Sequence, residues 1–207
     1  MDYNVKIMDE IDMEVLDLLA TKITLTEGLL GKSKEILYAV AIDDIKNKIG
    51  KIYTDPLGQK VFFAPGNTET VESYALHLIA GQNKLISDIR LQRVIGLLLA
   101  NLTIEKPWAI IVQDNGRKMY LAVYKSRNSM TNSLIVGVEE GQSGRVITST
   151  LAASQKGDKK AALRELKKRI SGAKKILYIW EGLTGHSRPS SDQRASLVNA
   201  NLNSSGE

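Results

Sequence analysis

Residues 108–151 constrain the fold of this chain more than any other segment. They contain four runs with strand chemistry, WAIIVQD, KMYLAVYK, SLIVGVEE and GRVITSTL, which are rich in β-branched and aromatic residues. The sequence Asp114-Asn115-Gly116 is a strong signal for a tight hairpin between the first two runs. Residues 141–144 (GQSG) tolerate positive φ at the turn between the third and fourth runs. This spacing predicts an antiparallel meander.

The second run has two chemically different faces, because side chains alternate along a strand. One face carries three apolar side chains, Met119, Leu121 and Val123. The other face carries basic and hydroxyl groups, namely Lys118, Tyr120 and Tyr124. We expect the apolar set to be buried under helices and the opposite face to be open.

Apolar residues recur at helical spacing both before and after the meander. It predicts helices over residues 9–19, 33–49, 68–80, 87–102 and 158–171. The turn dipeptide setting at residues 55–58 (DPLG) predicts a small hairpin, and residues 174–181 are predicted as a last strand. Residues 1–49 are interpreted as an N-terminal helical appendage. Residues 182–207, rich in Ser, Asn and Gly, are interpreted as a flexible tail.

The positive charge is unevenly placed along the chain. Residues 1–104 hold 11 Lys and Arg against 14 Asp and Glu, whereas residues 105–207 hold 17 against 9. A basic second half favours a polyanionic partner such as RNA. The alternative is that its lysine runs, including those of residues 158–171, are only solvated helix faces.

The chain has no cysteine, which excludes disulfides, thiolate catalysis and zinc-thiolate sites. Only His77 and His186 supply imidazole, and no metal-binding motif surrounds them, so no metal and no cofactor is expected. Residues 1–15 are acidic and do not resemble a secretory signal. No apolar run approaches the roughly 20 residues of a membrane span. A cytoplasmic protein without a membrane partner is expected.

The order of these parts resembles the phage nuclease branch of the barnase/EndoU/colicin/RelE-like superfamily. The resemblance covers residues 50–181 and is carried by the hairpin, the helix with His77, a second helix, and then WAIIVQDNGRKMYLAVYK, SLIVGVEE and GRVITST. It implies an α+β fold with N-terminal helices on one face of an antiparallel four- to five-stranded sheet. It also implies metal-independent RNA cleavage on the open face, as in a phage-associated toxin or effector with an immunity or antitoxin partner.

The resemblance implies a set of catalytic residues as well: His77, Lys118 or the neighbouring Arg117, Thr148 and Thr150. Cleavage of RNA by its own 2′-hydroxyl needs a base, a cation for the phosphorane, and an acid for the leaving oxygen. His77 is the natural base or acid. Besides Lys118 and Arg117, Arg145 is a candidate for the cation.

Further candidates would contact the RNA rather than react. The hydroxyls of Thr148, Ser149 and Thr150 can donate hydrogen bonds to phosphate, and Tyr120 or Tyr124 can stack on a splayed base. Each residue also has a structural interpretation: His77 as a half-buried histidine bonded to a backbone carbonyl, Lys118 as an exposed side chain, the threonines as ordinary strand formers. A non-catalytic module that binds RNA or a protein through the same face is therefore the alternative function.

Overall fold

The computed structural model describes residues 20–23, 29, 31–126, 133–141, 143–153 and 161–183. The predicted helix over residues 9–19, the start of the predicted helix at residues 158–160, and the tail from residue 184 lie outside these residues. Among the described helices, none combines the length and the apolar character that crossing a membrane requires.

The described residues form eight strands and five helices. The strands are β1 (Thr21–Ile23), β2 (Ile52–Thr54), β3 (Lys60–Phe62), β4 (Ala109–Val112), β5 (Lys118–Ser126), β6 (Ser133–Glu140), β7 (Val146–Ala153) and β8 (Lys175–Ile179). The helices are α1 (Lys34–Lys48), α2 (Val71–Ala80), α3 (Leu91–Leu98), α4 (Ala100–Glu105) and α5 (Ala161–Ser171), with short 3₁₀ turns at Ile86–Asp88 and Glu181–Leu183.

The main sheet has the strand order β7-β6-β5-β4-β8, and these five strands pair antiparallel. The meander predicted for residues 108–151 is thus confirmed as β4 to β7. Strand β1 adds a short parallel pairing beside β5, with Thr21 opposite Tyr124. Strands β2 and β3 form the predicted separate hairpin. The α+β fold class, with N-terminal helices on an antiparallel sheet, is confirmed.

The sheet is covered on both faces, which corrects the expectation of one open face. Met119, Leu121 and Val123 are buried, as predicted, and α5 packs against β5 and β6. Tyr120 and Tyr124 on the opposite face are buried as well. The hydroxyl of Tyr120 meets the β2–β3 hairpin at Asp55, and that of Tyr124 meets Thr103 of α4 at 2.8 Å.

The N-terminal helices form the layer over this second face. Helix α1 begins directly after Ser33, which caps it because its hydroxyl accepts a hydrogen bond from the Ile36 N–H. Its buried Leu37, Ala41 and Ile45 belong to the same hydrophobic core as the buried residues of α2 and α3. Helix α1 lies in the segment interpreted as an appendage, and it contributes directly to that core.

Two predicted helix boundaries differ from the structure. Helix α2 starts at Val71, three residues later than predicted, because Thr70 caps it by accepting from the Ser73 N–H at 3.1 Å. The predicted helix over residues 87–102 is divided into a 3₁₀ turn, α3 and α4, with the break at Leu99 (φ −92°, ψ −2°). Burial of apolar residues along both pieces overrides the local propensity for one continuous helix.

Candidate functional site

Polar and charged side chains gather where α2 meets the start of β7. We call this group the Glu69 cluster and define it by six residues: Glu69, Ser73, His77, Lys84, Arg93 and Arg145. Two of these, His77 and Arg145, were singled out from the sequence. The structure brings them together with four residues that the sequence did not identify.

Glu69 is the centre of the cluster. Its Oε2 accepts from Arg145 Nη2 at 2.7 Å and from the Gly66 N–H at 3.1 Å, and its Oε1 accepts from Lys84 Nζ at 2.8 Å. Burial by itself would raise the pKa of Glu69. The hydrogen bonds from Lys84 and Gly66 and the charges of Lys84 and Arg145 outweigh burial and hold the pKa below its usual value. Glu69 is therefore an anion that positions two cations.

Arg145 is held on three sides. Its Nε donates to the Ala64 carbonyl at 2.6 Å, and its guanidinium lies 4.9 Å from the ring centroid of Tyr74, beside the bond to Glu69. The Tyr74 hydroxyl in turn donates to the Val146 carbonyl at 2.6 Å. A planar donor fixed in this way is suited to contacting a phosphate oxygen.

Gly144 allows the chain to place Arg145 in the Glu69 cluster. Its carbonyl accepts from the Phe62 N–H at 2.9 Å, which joins the β2–β3 hairpin to the start of β7. Gly144 has φ +83°, and a Cβ there would lie 2.5 Å from the Lys60 carbonyl oxygen. Only glycine permits this approach. The turn signal read from residues 141–144 thus has a second purpose in docking the hairpin.

Lys84 reaches the cluster through an unusual backbone conformation. It has φ 52°, and within the described residues it is the sole non-glycine with positive φ. Its Nζ donates to both Glu69 and the Ser73 hydroxyl, each at 2.8 Å. A left-handed lysine costs roughly 1 kcal/mol relative to glycine. Backbone strain of this kind is found most often at functional sites, where the position of the side chain matters more than the local stability of the backbone.

His77 lies one helical turn after Ser73 on α2 and is half-buried. Burial lowers the pKa of its imidazole; the Glu69 charge opposes this, while the charges of Lys84, Arg145 and Arg93 add to it. The pKa of His77 therefore lies below its usual value, which favours the neutral form of the imidazole. Among the residues that the structure describes, none forms a hydrogen bond with the ring nitrogens of His77. The structure therefore does not show the alternative in which His77 is bonded to a backbone carbonyl.

Lys118 belongs to a different group. We call this the Tyr120 cluster and define it by five residues: Asp55, Gln59, Lys118, Tyr120 and Glu140. Lys118 Nζ lies 2.9 Å from Glu140 Oε1 and also contacts the Gln59 side chain. The Tyr120 hydroxyl lies 2.5 Å from Glu140 and 3.0 Å from Asp55, and both carboxylates are buried.

The remaining predicted residues are dispersed. Arg117 is exposed and pairs loosely with Glu139 at 3.5 Å. Tyr120 and Tyr124 are 0% and 2% exposed, so neither ring can stack on a base, which corrects that prediction. Burial raises the pKa of Tyr124 to about 12. The backbones of Thr148, Ser149 and Thr150 pair with Glu139, Val138 and Gly137, while their side chains lie outside what the structure describes.

Among the described residues, no group of three or more His, Asp or Glu side chains is arranged to hold a metal ion. No protein-family model matches this chain, and no curated protein or solved structure gives a significant match. Inference about function therefore rests on the chemistry of the Glu69 cluster.

Proposed function

We propose that this protein is a metal-independent endoribonuclease whose reaction centre is the Glu69 cluster. The observation that carries the proposal is the placement of the His77 imidazole, whose ring has no hydrogen bond among the described residues, near Arg93 and near two cations, Lys84 and Arg145, that share the Glu69 carboxylate. Cleavage of a phosphodiester by a neighbouring 2′-hydroxyl requires this combination of a base and preorganised positive charge.

In the proposed reaction, His77 takes the proton from the 2′-hydroxyl, and the 2′-oxygen attacks phosphorus. Arg145, Lys84 and Arg93 stabilise the additional negative charge of the phosphorane. The bond from phosphorus to the 5′-oxygen then breaks, and the leaving oxygen takes a proton from water. The products are a 2′,3′-cyclic phosphate and a free 5′-hydroxyl. Glu69 acts as a positioning residue for Arg145 and Lys84.

One observation favours a second function, that of a non-catalytic RNA-binding module. Glu69 already pairs with Arg145 and Lys84 in the free protein, so a phosphate must compete with a carboxylate for both cations. A site of this kind can bind a backbone phosphate without developing the charge stabilisation that catalysis needs. Binding would still weaken steeply with salt, because phosphate contacts release counterions.

The experiment that separates these functions uses a DNA oligonucleotide with one ribonucleotide at a defined position. We expect the purified protein to cut it in EDTA at that position only, leaving a 2′,3′-cyclic phosphate. A matched oligonucleotide with a 2′-O-methyl group there should remain intact, because the nucleophile is blocked. If the protein binds RNA but cuts neither substrate in EDTA or in magnesium, the binding module is the correct function.

A further inference from the structure

The loop that follows α2 presents two large apolar side chains to solvent. Leu85 is 54% exposed and Ile86 is 39% exposed. These two residues are consecutive, whereas the other exposed large apolar residues of the described part are separated along the chain: Ile36, Ile52 and Leu57. Single exposed apolar side chains are ordinary on protein surfaces, but a contiguous apolar surface indicates a contact with a ligand or partner.

Hydrogen bonds on both sides of the Leu85–Ile86 pair hold this loop in place. The Lys84 N–H donates to the Gly81 carbonyl at 3.2 Å, and the Asp88 N–H donates to the Leu85 carbonyl at 3.0 Å. The Asn83 side chain bridges the loop, because its Nδ2 donates to Asp88 Oδ2 at 3.3 Å. The exposure of the pair is therefore part of the folded structure of the loop.

Positive charge lies directly beside the Leu85–Ile86 pair. Lys84 precedes the pair, and its ammonium shares the Glu69 carboxylate with Arg145. Arg90, at the start of α3, is exposed and forms no ion pair with another described residue. Cations next to an apolar surface complement a nucleotide, because its phosphate is an anion and the faces of its base are apolar.

We propose that the Leu85–Ile86 pair contacts an unstacked nucleobase whose backbone phosphate lies at the Glu69 cluster, so that the site takes single-stranded RNA. The Cα atoms of Lys84 and Leu85 are about 3.8 Å apart, so the two side chains can contact the phosphate and the base of one nucleotide. Leucine and isoleucine insert between bases in other nucleic-acid complexes. A base inside a duplex does not expose its face in this way. The inference rests on the proposed function, which supplies the phosphate site.

The test compares adenosine 3′-monophosphate with inorganic phosphate, each titrated at constant ionic strength and followed by the proton NMR shift of the His77 imidazole. The variant combines Leu85→Ser with Ile86→Ser. The matched control is Leu57→Ser, at a 43% exposed position in the β2–β3 turn. We expect the double variant to lose roughly three- to tenfold in nucleotide affinity, the scale for partial burial of two aliphatic side chains, and to keep its phosphate affinity. The control should bind both ligands as the wild type does.

A second measurement compares a short labelled RNA strand with the same sequence in a duplex. The wild type should bind the single strand more tightly, and the double variant should lose this preference, while thermal unfolding shows that its fold is intact. Wild-type nucleotide affinity in the double variant, or equal wild-type affinity for strand and duplex, would overturn the inference alone. If the wild type binds neither nucleotide nor phosphate, the phosphate site of the proposed function is wrong and the inference fails with it. The expected binding without cleavage would support the base contact and refute only the catalytic role of His77.

Discussion

The Glu69 cluster and the Tyr120 cluster both centre on a carboxylate that pairs with a cation, yet they differ in what remains available. In the Tyr120 cluster the carboxylates of Asp55 and Glu140 are 4% and 3% exposed, and each already contacts the Tyr120 hydroxyl. In the Glu69 cluster the side chains of Lys84 and Arg145 are 34% and 28% exposed. The buried network of the Tyr120 cluster stabilises the fold. The Glu69 cluster, with its exposed cations and neutral imidazole, can act on a ligand.

The largest expected effect comes from removing the imidazole. We expect His77→Ala to lower RNA cleavage by roughly 10²- to 10⁴-fold, the usual scale for loss of a general acid or base. Because His77 is only half-buried and its ring makes no hydrogen bond with another described residue, the free energy of unfolding should change by less than about 1 kcal/mol.

The measurement for His77→Ala is single-turnover cleavage of the single-ribonucleotide substrate, alongside denaturant unfolding. Arg117→Gln is the matched control, since it removes one exposed charge outside the Glu69 cluster. Cleavage by His77→Ala at the wild-type rate would remove His77 from the reaction and leave only the binding function for the cluster.

A change at Lys84 separates function from stability. Lys84→Gly removes an ammonium from the cluster and also relieves the strain of φ 52°. The ion pair with Glu69 is lost as the strain is relieved, so the net change in the free energy of unfolding should stay within about 1 kcal/mol. Cleavage should fall roughly 10²- to 10³-fold, as for loss of one preorganised donor.

The comparison for Lys84→Gly is Lys84→Asn, which tolerates the same backbone conformation and also lacks the ammonium. Both variants should lose activity equally, as measured by single-turnover cleavage. Full activity in both would show that Lys84 serves only to hold the loop after α2.

Changes in the Tyr120 cluster should lower the stability of the fold and leave cleavage unchanged, which is the reverse of the changes in the Glu69 cluster. Tyr120→Phe removes the hydroxyl between two buried carboxylates, and we expect it to destabilise the fold by about 1.5–3 kcal/mol. Tyr124→Phe is the control, because its buried hydroxyl faces only the neutral Thr103 and should cost about 1 kcal/mol. Cleavage per folded molecule should remain at the wild-type level in both. Chemical denaturation and an active-fraction assay measure the two quantities.

The pH dependence of cleavage is the smallest expected effect. It tests the direction in which the protein shifts the pKa of His77. Burial lowers the pKa of His77, so the neutral base persists to lower pH than in an unperturbed histidine. We expect kcat/KM to fall about tenfold per pH unit below that pKa and to be constant above it. A profile in which activity rises as the pH falls would assign His77 the role of acid instead.

Much of the fold was predictable because its signals are local. The Asp114-Asn115-Gly116 turn and the alternation in β5 predicted the meander, and the apolar spacing over residues 33–49 predicted α1. The burial of both faces of β5 was not predictable in this way. Tyr120 and Tyr124 look like surface residues by type, and only tertiary partners, Asp55 and Thr103, make their burial acceptable.

The candidate site was only partly predictable for a similar reason. His77 and Arg145 stood out by residue type, but Lys84 and Arg93 reach the cluster through a left-handed turn and an approach to Gly81 that sequence spacing does not encode. Glu69 was not singled out, because an acidic residue just before a helix is commonly explained by the helix dipole alone. Lys118 was expected beside His77 but instead pairs with Glu140 across β5 and β6.

The most direct test of the central claim is a titration of the His77 imidazole by proton NMR in the presence of a ribonucleoside 3′-monophosphate. We expect a pKa below 6.5 in the free protein, because burial disfavours the imidazolium. The bound phosphate should raise that pKa by stabilising the charged form, and His77→Ala identifies the resonance. An unchanged His77 pKa in the presence of saturating nucleotide would contradict the placement of the phosphate site at the Glu69 cluster.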